Sequence, residues 1–275
     1  MINKDSHQPI LVDSHAHLDD RQFDADRPQV LTRAKDRGIN WILCPLDLSL
    51  ETSLEVGLKL AKEQSNIYLA AGLHPHQAKQ LNENHLQTLK QMAEEKKIMA
   101  VGEIGLDFHY NFSPPDKQLN ALELQLDLAT ELKLPVIIHS RLAGDKIIEL
   151  LETRKGRLRG IFHCFTESYD IARKALDLGF LVSFSGILTY QRAEDLREVA
   201  RKLPPESLLV ETDAPYLTPW PEKKVYSRNE PALVITTARR LAELKNMTLE
   251  DLARKTTENF FDFFGLKKAG AGVNI

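Results

Sequence analysis

The sequence predicts an α/β protein built as a (β/α)₈ TIM barrel and followed by an extra C-terminal helix. Three observations support this fold class. Short apolar runs typical of strands alternate with amphipathic helical stretches, eight such runs occur in succession, and glycines and prolines punctuate the joints. Strands separated by single helices pair in parallel with right-handed crossovers, so eight consecutive units favour a closed barrel over an open sheet.

The predicted strands are all short and rich in apolar residues. They are residues 10–12, 41–44, 68–71, 99–102, 136–138, 160–162, 181–184 and 208–210. Between the fourth and fifth strands, residues 118–132 carry leucines and an alanine at helical spacing. Two helices, 231–244 and 249–263, are expected after the eighth strand, and the phenylalanines of the second should pack against the barrel.

The composition is that of an ordinary enzyme. The chain has 275 residues, of which 43% are hydrophobic and 27% charged, and nothing in it marks a second domain, so one domain over residues 1–275 is expected. No apolar run approaches the length that spans a bilayer, and the polar N-terminus has no signal core. Cys44 and Cys164 lie in apolar runs, where thiols are usually buried and reduced, so a cytoplasmic location is expected. Neither belongs to a C-x-x-C pair, so no cysteine-based zinc site is expected.

The net charge of −3 limits the kind of partner that the chain can bind. A protein that grips long duplex DNA through many phosphates normally presents a basic surface. An enzyme that takes a short strand or an end into a metal-lined cleft needs no such surface, because bound cations supply positive charge locally. A short strand or an end of DNA is thus a compatible partner; no membrane partner is expected, and a monomer is the default.

Side chains that ligate metals follow five of the predicted strands. His15 and His17 follow the first strand, and Glu103 follows the fourth. His139, His163 and Asp213 follow the fifth, sixth and eighth. The carboxyl ends of barrel strands meet at one rim, where barrel enzymes build their active sites. His15 and His17 are two residues apart, so both imidazoles point to the same side of an extended strand.

Six ligands exceed the four that one tetrahedral site needs, and they therefore predict two divalent ions, either zinc, manganese or magnesium. A carboxylate can bridge two cations and a neutral imidazole cannot, so Glu103 is the natural bridge. We expect His15, His17, Glu103 and Asp213 on one ion, and Glu103, His139 and His163 on the other. Asp213 is also placed to accept a proton from the attacking water.

Other polar residues of the same rim are candidates for contact with the substrate. His74 follows the third predicted strand and is expected to contact the substrate or to hold a water beside the metal ligands. Arg141 lies two residues beyond His139, and its forked donors suit a phosphate group; the alternative is a salt bridge that stabilises the rim. His76, by contrast, is expected to be a surface or loop residue.

Seven segments, in order along nearly the whole chain, resemble the motifs of the TatD family of metal-dependent deoxyribonucleases. They are DSHAHLD at 13–19, GLHPH at 72–76, VGEIGLDF at 101–108, PVIIHSR at 135–141, HCFT at 163–166, LVETDAPYL at 209–217 and RNEP at 228–231. The resemblance implies a barrel of the amidohydrolase superfamily that binds divalent metals through the ligands named above. It also implies a deoxyribonuclease of the 3′-to-5′ exonuclease type that acts on single-stranded DNA or 3′ ends, because the family includes enzymes that digest DNA from its 3′ end, beside others whose substrate is unassigned.

Two alternative functions remain open from the sequence. A metal-dependent hydrolase of a small phosphodiester or an amide would share the fold and the metal pair, although many amide hydrolases bridge their metals with a carboxylated lysine where this chain has Glu103. A non-catalytic barrel braced by its metals would normally have a closed, single, four-ligand site. Chelation should abolish hydrolysis in an enzyme, and in a braced barrel it should only lower the melting temperature.

Overall fold

A computed structural model describes residues 9–266. Eight strands form one sheet in the order β1 to β8, and every neighbouring pair is parallel. The predicted (β/α)₈ barrel is therefore confirmed. The strands are β1 Leu11–Asp13, β2 Ile39–Asp47, β3 Ile67–Gly72, β4 Ala100–Asp107, β5 Val136–Arg141, β6 Gly160–Phe162, β7 Leu181–Phe184 and β8 Leu208–Val210. Two segments lie outside the described residues, 1–8 and 267–275. The first carries the polar N-terminus that supports the expected cytoplasmic location, and both belong to the expected single domain of residues 1–275.

The helices alternate with these strands, and one additional helix ends the described chain. They are α1 Arg27–Asp36, α2 Glu51–Glu63, α3 Glu83–Glu94, α4 Pro115–Leu132, α5 Gly144–Glu152, α6 Tyr169–Asp177, α7 Glu194–Lys202, α8 Val234–Lys245 and α9 Leu249–Phe264. Asn82, Ser168 and Thr248 cap α3, α6 and α9 by accepting a backbone N–H bond. Between residues 9 and 266, no helix has the length and apolar character that a membrane span requires.

Backbone hydrogen bonds join β1 to β8 and close the barrel. The N–H of Ser14 donates to the carbonyl of Val210 at 3.1 Å, and the N–H of Asp213 donates to the carbonyl of His15 at 2.9 Å. The N–H of His17 donates to the carbonyl of Ala214 at 2.8 Å. The segment that carries His15 and His17 is thereby fixed beside Asp213.

All eight predicted strands overlap observed ones, but β4 extends well beyond its predicted end. The apolar pattern predicts a strand at 99–102, whereas β4 continues to Asp107. Its register with β5 shifts between Val101 and Ile104, which indicates a β-bulge. Gly102 and Gly105 lie within this strand, and the prediction ended there because glycine is typical of strand ends.

The phenylalanines of α9 pack against the barrel, as the sequence predicts, and they cover its amino-terminal end. Phe260 and Phe261 are fully buried. Phe260, Phe261 and Phe263 share a cluster with apolar residues from seven strands, namely Val12, Leu43, Ala70, Ala100, Ile137, Ile161 and Leu209. The Thr257 hydroxyl also donates to the carbonyl of Ile10, just before β1. The extra helix therefore seals one end of the barrel and leaves the carboxyl end open.

We predict that Phe261→Ala lowers the free energy of unfolding by about 3–5 kcal/mol, because it leaves a cavity in this cluster. Leu124→Ala, at a side chain that is 41% exposed, is the matched control and should change it by less than about 0.5 kcal/mol. Urea denaturation of both variants measures the difference. Equal stability of the two variants would show that α9 is dispensable for the core.

Candidate metal centre

The Glu103 carboxylate lies at the centre of the predicted ligands. Its Oε2 is 3.3 Å from Nε2 of His15 and 3.6 Å from Nε2 of His17. Its Oε1 is 2.8 Å from Nδ1 of His139 and 2.7 Å from Nε2 of His163. Each oxygen of the carboxylate therefore faces a different pair of histidines.

Asp213 completes the first of these groups. Its Oδ1 lies 3.5 Å from Nε2 of His17 and 3.8 Å from Nε2 of His15. The residue has a φ of 57°, in the left-handed region that aspartate tolerates better than most residues. The structure thus brings together all six side chains that the sequence singled out.

The side chains of this cluster suit a divalent cation. Within each group, two imidazole nitrogens face one another at 3.3 Å, between His15 and His17 and between His139 and His163. Two imidazole nitrogens this close together can ligate the same cation. His15, His17 and Glu103 form one set able to hold a metal ion, and Glu103, His139 and His163 form another. Nitrogen and carboxylate donors are those that zinc and manganese accept.

The bulge in β4 brings Glu103 to this position. Gly102 and Gly105 have φ values of 154° and 155°, which side-chain-bearing residues rarely adopt. A Cβ on Gly102 would lie 2.6 Å from Cβ of Ile137, and one on Gly105 would collide with the carbonyl oxygen of His139. β4 therefore approaches β5 too closely for any side chain at these two positions.

Two buried carboxylates lie behind the histidines of the second group. Oδ2 of Asp107 is 3.5 Å from Nε2 of His139, and Oε1 of Glu211 is 3.4 Å from Nδ1 of His163. In each ring, the nitrogen that faces away from Glu103 is the one that approaches the carboxylate. Carboxylates in this position fix the orientation of a ligating imidazole and raise its basicity. Sequence reasoning missed Asp107, although its even spacing from Glu103 along one strand was a usable signal.

His74 lies beside the second group, and its ring orientation is fixed. Its Nδ1 accepts a hydrogen bond from the N–H of His76 at 3.1 Å, so the proton of the neutral ring resides on Nε2. That Nε2 is 3.2 Å from Oε1 of Glu103. Burial lowers the pKa of His74 to about 4, in spite of the nearby Glu103. His74 is therefore a neutral hydrogen-bond donor at the edge of the cluster.

The expectation that His76 is a surface or loop residue was wrong. The residue lies in a short 3₁₀ helix, Pro75–Gln80, and its side chain is only 25% exposed. Its Nε2 is 2.8 Å from Oδ2 of Asp107, and the ring lines the cleft above the cluster. The expectation failed because the sequence does not show that Asp107 approaches from the next strand.

Arg141 lies at the rim of the same cleft, which has a volume of about 1210 Å³. Its side chain is exposed, and its guanidinium carbon lies 4.8 Å from the ring centroid of Tyr110. Within residues 9–266, no carboxylate lies within ion-pair distance of it. The guanidinium therefore retains its donors for an anionic ligand.

The buried carboxylates of the cluster are held in their charged form. Burial alone would raise the pKa of Glu103, but the charge of His163 and the hydrogen bonds from His139 and His15 outweigh it and hold the pKa well below its usual range. Burial is likewise outweighed at Asp213, where the contact with His17 lowers the pKa. Two ionised carboxylates within a ring of imidazoles make this end of the barrel a strong attractor for cations.

Comparisons with known proteins agree with this geometry. A family model described as TatD related DNase matches residues 12–265. The uncharacterized metal-dependent hydrolase YabD of Bacillus subtilis is 38% identical over 91% of this chain and 97% of the relative. A protein of Erwinia amylovora named 3′-5′ ssDNA/RNA exonuclease TatD is 35% identical over 93% of this chain and 100% of the relative.

Solved structures show the same similarity. The crystal structure of YjjV, a TatD homologue from Escherichia coli K12, has a TM-score of 0.85 and 32% identity, covering 94% of this chain and 98% of that one. A dihydroorotase structure with a TM-score of 0.64 and 17% identity shares the fold. Fold, cluster and relatives together define a metal-dependent hydrolase on a (β/α)₈ barrel. The chain belongs to the TatD-related DNase family.

We predict that Gly105→Ala destabilises the protein by about 2–5 kcal/mol, because left-handed strain adds to a steric collision. Gly156→Ala is the matched control: Gly156 has a φ of 75°, but no atom lies within 4 Å of an added Cβ. The control should lower the free energy of unfolding only by the backbone strain of alanine at this φ, about 1–2 kcal/mol. Thermal denaturation compares the two, and an equal loss would mean that β4 does not need its close contact with β5.

Proposed function

We propose that this chain is a two-metal phosphodiesterase that removes nucleotides from the 3′ end of single-stranded DNA. The observation that carries the proposal is the orientation of Glu103, whose two oxygens face two separate groups of nitrogen ligands. A relative of 35% identity that is named a 3′-5′ ssDNA/RNA exonuclease supports both the nucleic-acid substrate and the direction of cleavage. Two metals at a bridging carboxylate suit in-line phosphoryl displacement.

The proposed ligands follow the two groups. His15, His17, Glu103 and Asp213 hold one divalent ion, and Glu103, His139 and His163 hold the other. When bound, zinc, manganese or magnesium ions would polarise the phosphodiester and lower the pKa of the attacking water. Asp107 and Glu211 keep the second group of imidazoles in the orientation that ligation needs.

Asp213 has a second role as the proton acceptor. Its carboxylate is ionised, because contact with His17 keeps its pKa below the usual value in spite of burial. Its side chain is 14% exposed, so water from the cleft reaches it. A carboxylate at this distance from the histidines can accept the proton that an attacking water releases.

His74 and Arg141 are the proposed contacts to the substrate. Nε2 of His74 carries a proton and borders the cluster, so it can donate to a phosphoryl oxygen. Arg141 has no carboxylate partner among the described residues, and its planar fork matches the oxygens of a phosphate. These two donors would bind the substrate from the side of the cleft that holds His139.

The structure favours a phosphodiester over an amide substrate. In amide hydrolases of this fold, a carboxylated lysine is a common bridge, but no lysine of the described chain lines this cleft. Lys96 and Lys97 precede β4 at the opposite end of the barrel, and Lys97 pairs with Glu95. A small phosphodiester fits the same donors and is the remaining alternative substrate.

A metal site that only braces the barrel is a poorer explanation. Structural zinc sites are closed, and four protein ligands shield the ion. Here His17 and His139 are 24% and 18% exposed and line an open cleft. The phenylalanines of α9 already brace the opposite end of the barrel.

We predict that Glu103→Gln removes one or both metals, because an amide cannot share two anionic oxygens between two cations. Elemental analysis after desalting should find two ions per chain in the wild type and at most one in the variant. Glu123→Gln, at an exposed position of α4, is the matched control and should retain both. Two ions in Glu103→Gln would exclude the bridging role.

Asp213→Asn should leave the fold largely intact and reduce hydrolysis by at least about 100-fold, since it removes the proton acceptor and weakens one metal site. The assay follows 5′-labelled single-stranded DNA with added manganese or magnesium, where the wild type should shorten the strand stepwise. Asp177→Asn, exposed at the end of α6, is the control and should retain full activity. Near-normal turnover by metal-loaded Asp213→Asn would contradict the assignment.

A further inference from the structure

Exposed apolar side chains are concentrated at the open end of the barrel. Ten large hydrophobic side chains are exposed in the described part of the chain, and eight of them lie on loops that follow β2, β4, β5 and β8. These eight are Leu50, Tyr110, Phe112, Leu142, Tyr216, Trp220, Val225 and Tyr226. Four of them, Leu50, Tyr110, Leu142 and Tyr216, line the cleft above the candidate metal ligands. Exposed apolar groups around a cleft mark a surface that binds a ligand or partner.

Two of these aromatic rings form a stacked pair beside the cleft. The rings of Tyr110 and Phe112 are parallel within 4°, with centroids 5.3 Å apart. They are 49% and 57% exposed. Arg141 approaches the Tyr110 ring, and the His76 ring meets Phe112 edge-on at 4.8 Å. We call Tyr110, Phe112 and Arg141 the aromatic platform.

Asp107 and Gln118 hold the loop that carries Tyr110 and Phe112 in place. Oδ1 of Asp107 accepts hydrogen bonds from the N–H groups of His109 and Tyr110, both at 2.9 Å. The side-chain amide of Gln118 donates to the carbonyls of Asp107 and Ser113. The platform is therefore organised before a ligand arrives, which reduces the entropy that binding would cost.

The same carboxylate connects the platform to the metal ligands. Oδ2 of Asp107 contacts the rings of His76 and His139, while its Oδ1 fixes the backbone of Tyr110. A ligand that lies across the platform is consequently adjacent to the second group of metal ligands.

We propose that the aromatic platform is a base-stacking subsite for single-stranded nucleic acid, in which Phe112, backed by Tyr110, stacks with a nucleobase and Arg141 contacts the adjoining phosphate. The inference rests on the proposed function and extends it, because it makes the substrate a polymer and not a small phosphodiester. The guanidinium of Arg141, which has no carboxylate partner among the described residues, lies beside exposed aromatic rings. This arrangement matches the alternating phosphates and bases of a single strand. Proteins that bind single strands combine these two elements without reading the sequence.

The test compares a polymer with a small substrate on the same enzyme. The wild type, Phe112→Ala and Phe112→Trp are assayed with manganese on 5′-labelled dT10 and on bis(4-nitrophenyl) phosphate, which has no base. The ratio of kcat/KM for dT10 to kcat/KM for the small substrate should fall about 10-fold in Phe112→Ala, and Phe112→Trp should restore it, since tryptophan keeps a stacking ring. Tyr226→Ala is the matched control, because Tyr226 is 53% exposed at the same end of the barrel but lies outside the platform, in a different pocket that Arg33 and Arg228 line.

A ratio that stays constant in Phe112→Ala would overturn the platform, and so would an equal fall in Tyr226→Ala. Failure of the proposed function has a different signature, because the wild type would then not shorten dT10. In that case, binding of fluorescein-labelled dT10 is measured by anisotropy in the Asp213→Asn background. Binding that weakens about 10-fold when Phe112→Ala is added supports the platform, whereas unaffected or undetectable binding overturns it.

Discussion

The site depends on the interaction between one buried carboxylate and the imidazoles around it. A charged carboxylate at a nearly buried position is costly unless partners surround it. Glu103 is 6% exposed, and nitrogens from β5, β6 and the segment after β1 lie within 3.6 Å of its oxygens. These partners come from distant parts of the sequence, so the cluster requires the closed barrel that brings them together.

The two ends of the barrel have different tasks. At the amino-terminal end, the phenylalanines of α9 fill the interior, and dry packing stabilises the fold. At the carboxyl end, polar side chains replace apolar ones, and the loops carry residues that we propose to contact the substrate. The apolar core around α9 thus stabilises the fold at the end opposite the candidate site. The carboxyl end can therefore retain buried charges whose proposed role is to bind cations.

Much of the fold and of the cluster could be predicted from the sequence, because both follow simple periodic rules. Eight apolar runs indicate a barrel, and ligands at strand ends share a rim, which located His15, His17, Glu103, His139, His163 and Asp213. The supporting residues could not be predicted in the same way. Gly102 and Gly105 are typical of a strand end but lie at a bulge within β4. The predicted strand therefore ended too early to include Asp107, and its contact with His76 was not predicted. The platform was also missed, because loop geometry brings Tyr110, Phe112 and Arg141 together.

The central claim is that Glu103 joins two metal ions, and electron paramagnetic resonance of the manganese-loaded enzyme tests it most directly. With two equivalents of manganese(II), the account predicts the spectrum of a spin-coupled pair, because a shared carboxylate holds the ions roughly 3.5–4 Å apart. Glu103→Gln should lose that coupling. A wild-type spectrum of isolated manganese(II) at full occupancy would contradict the bridging role of Glu103 and the mechanism built on it.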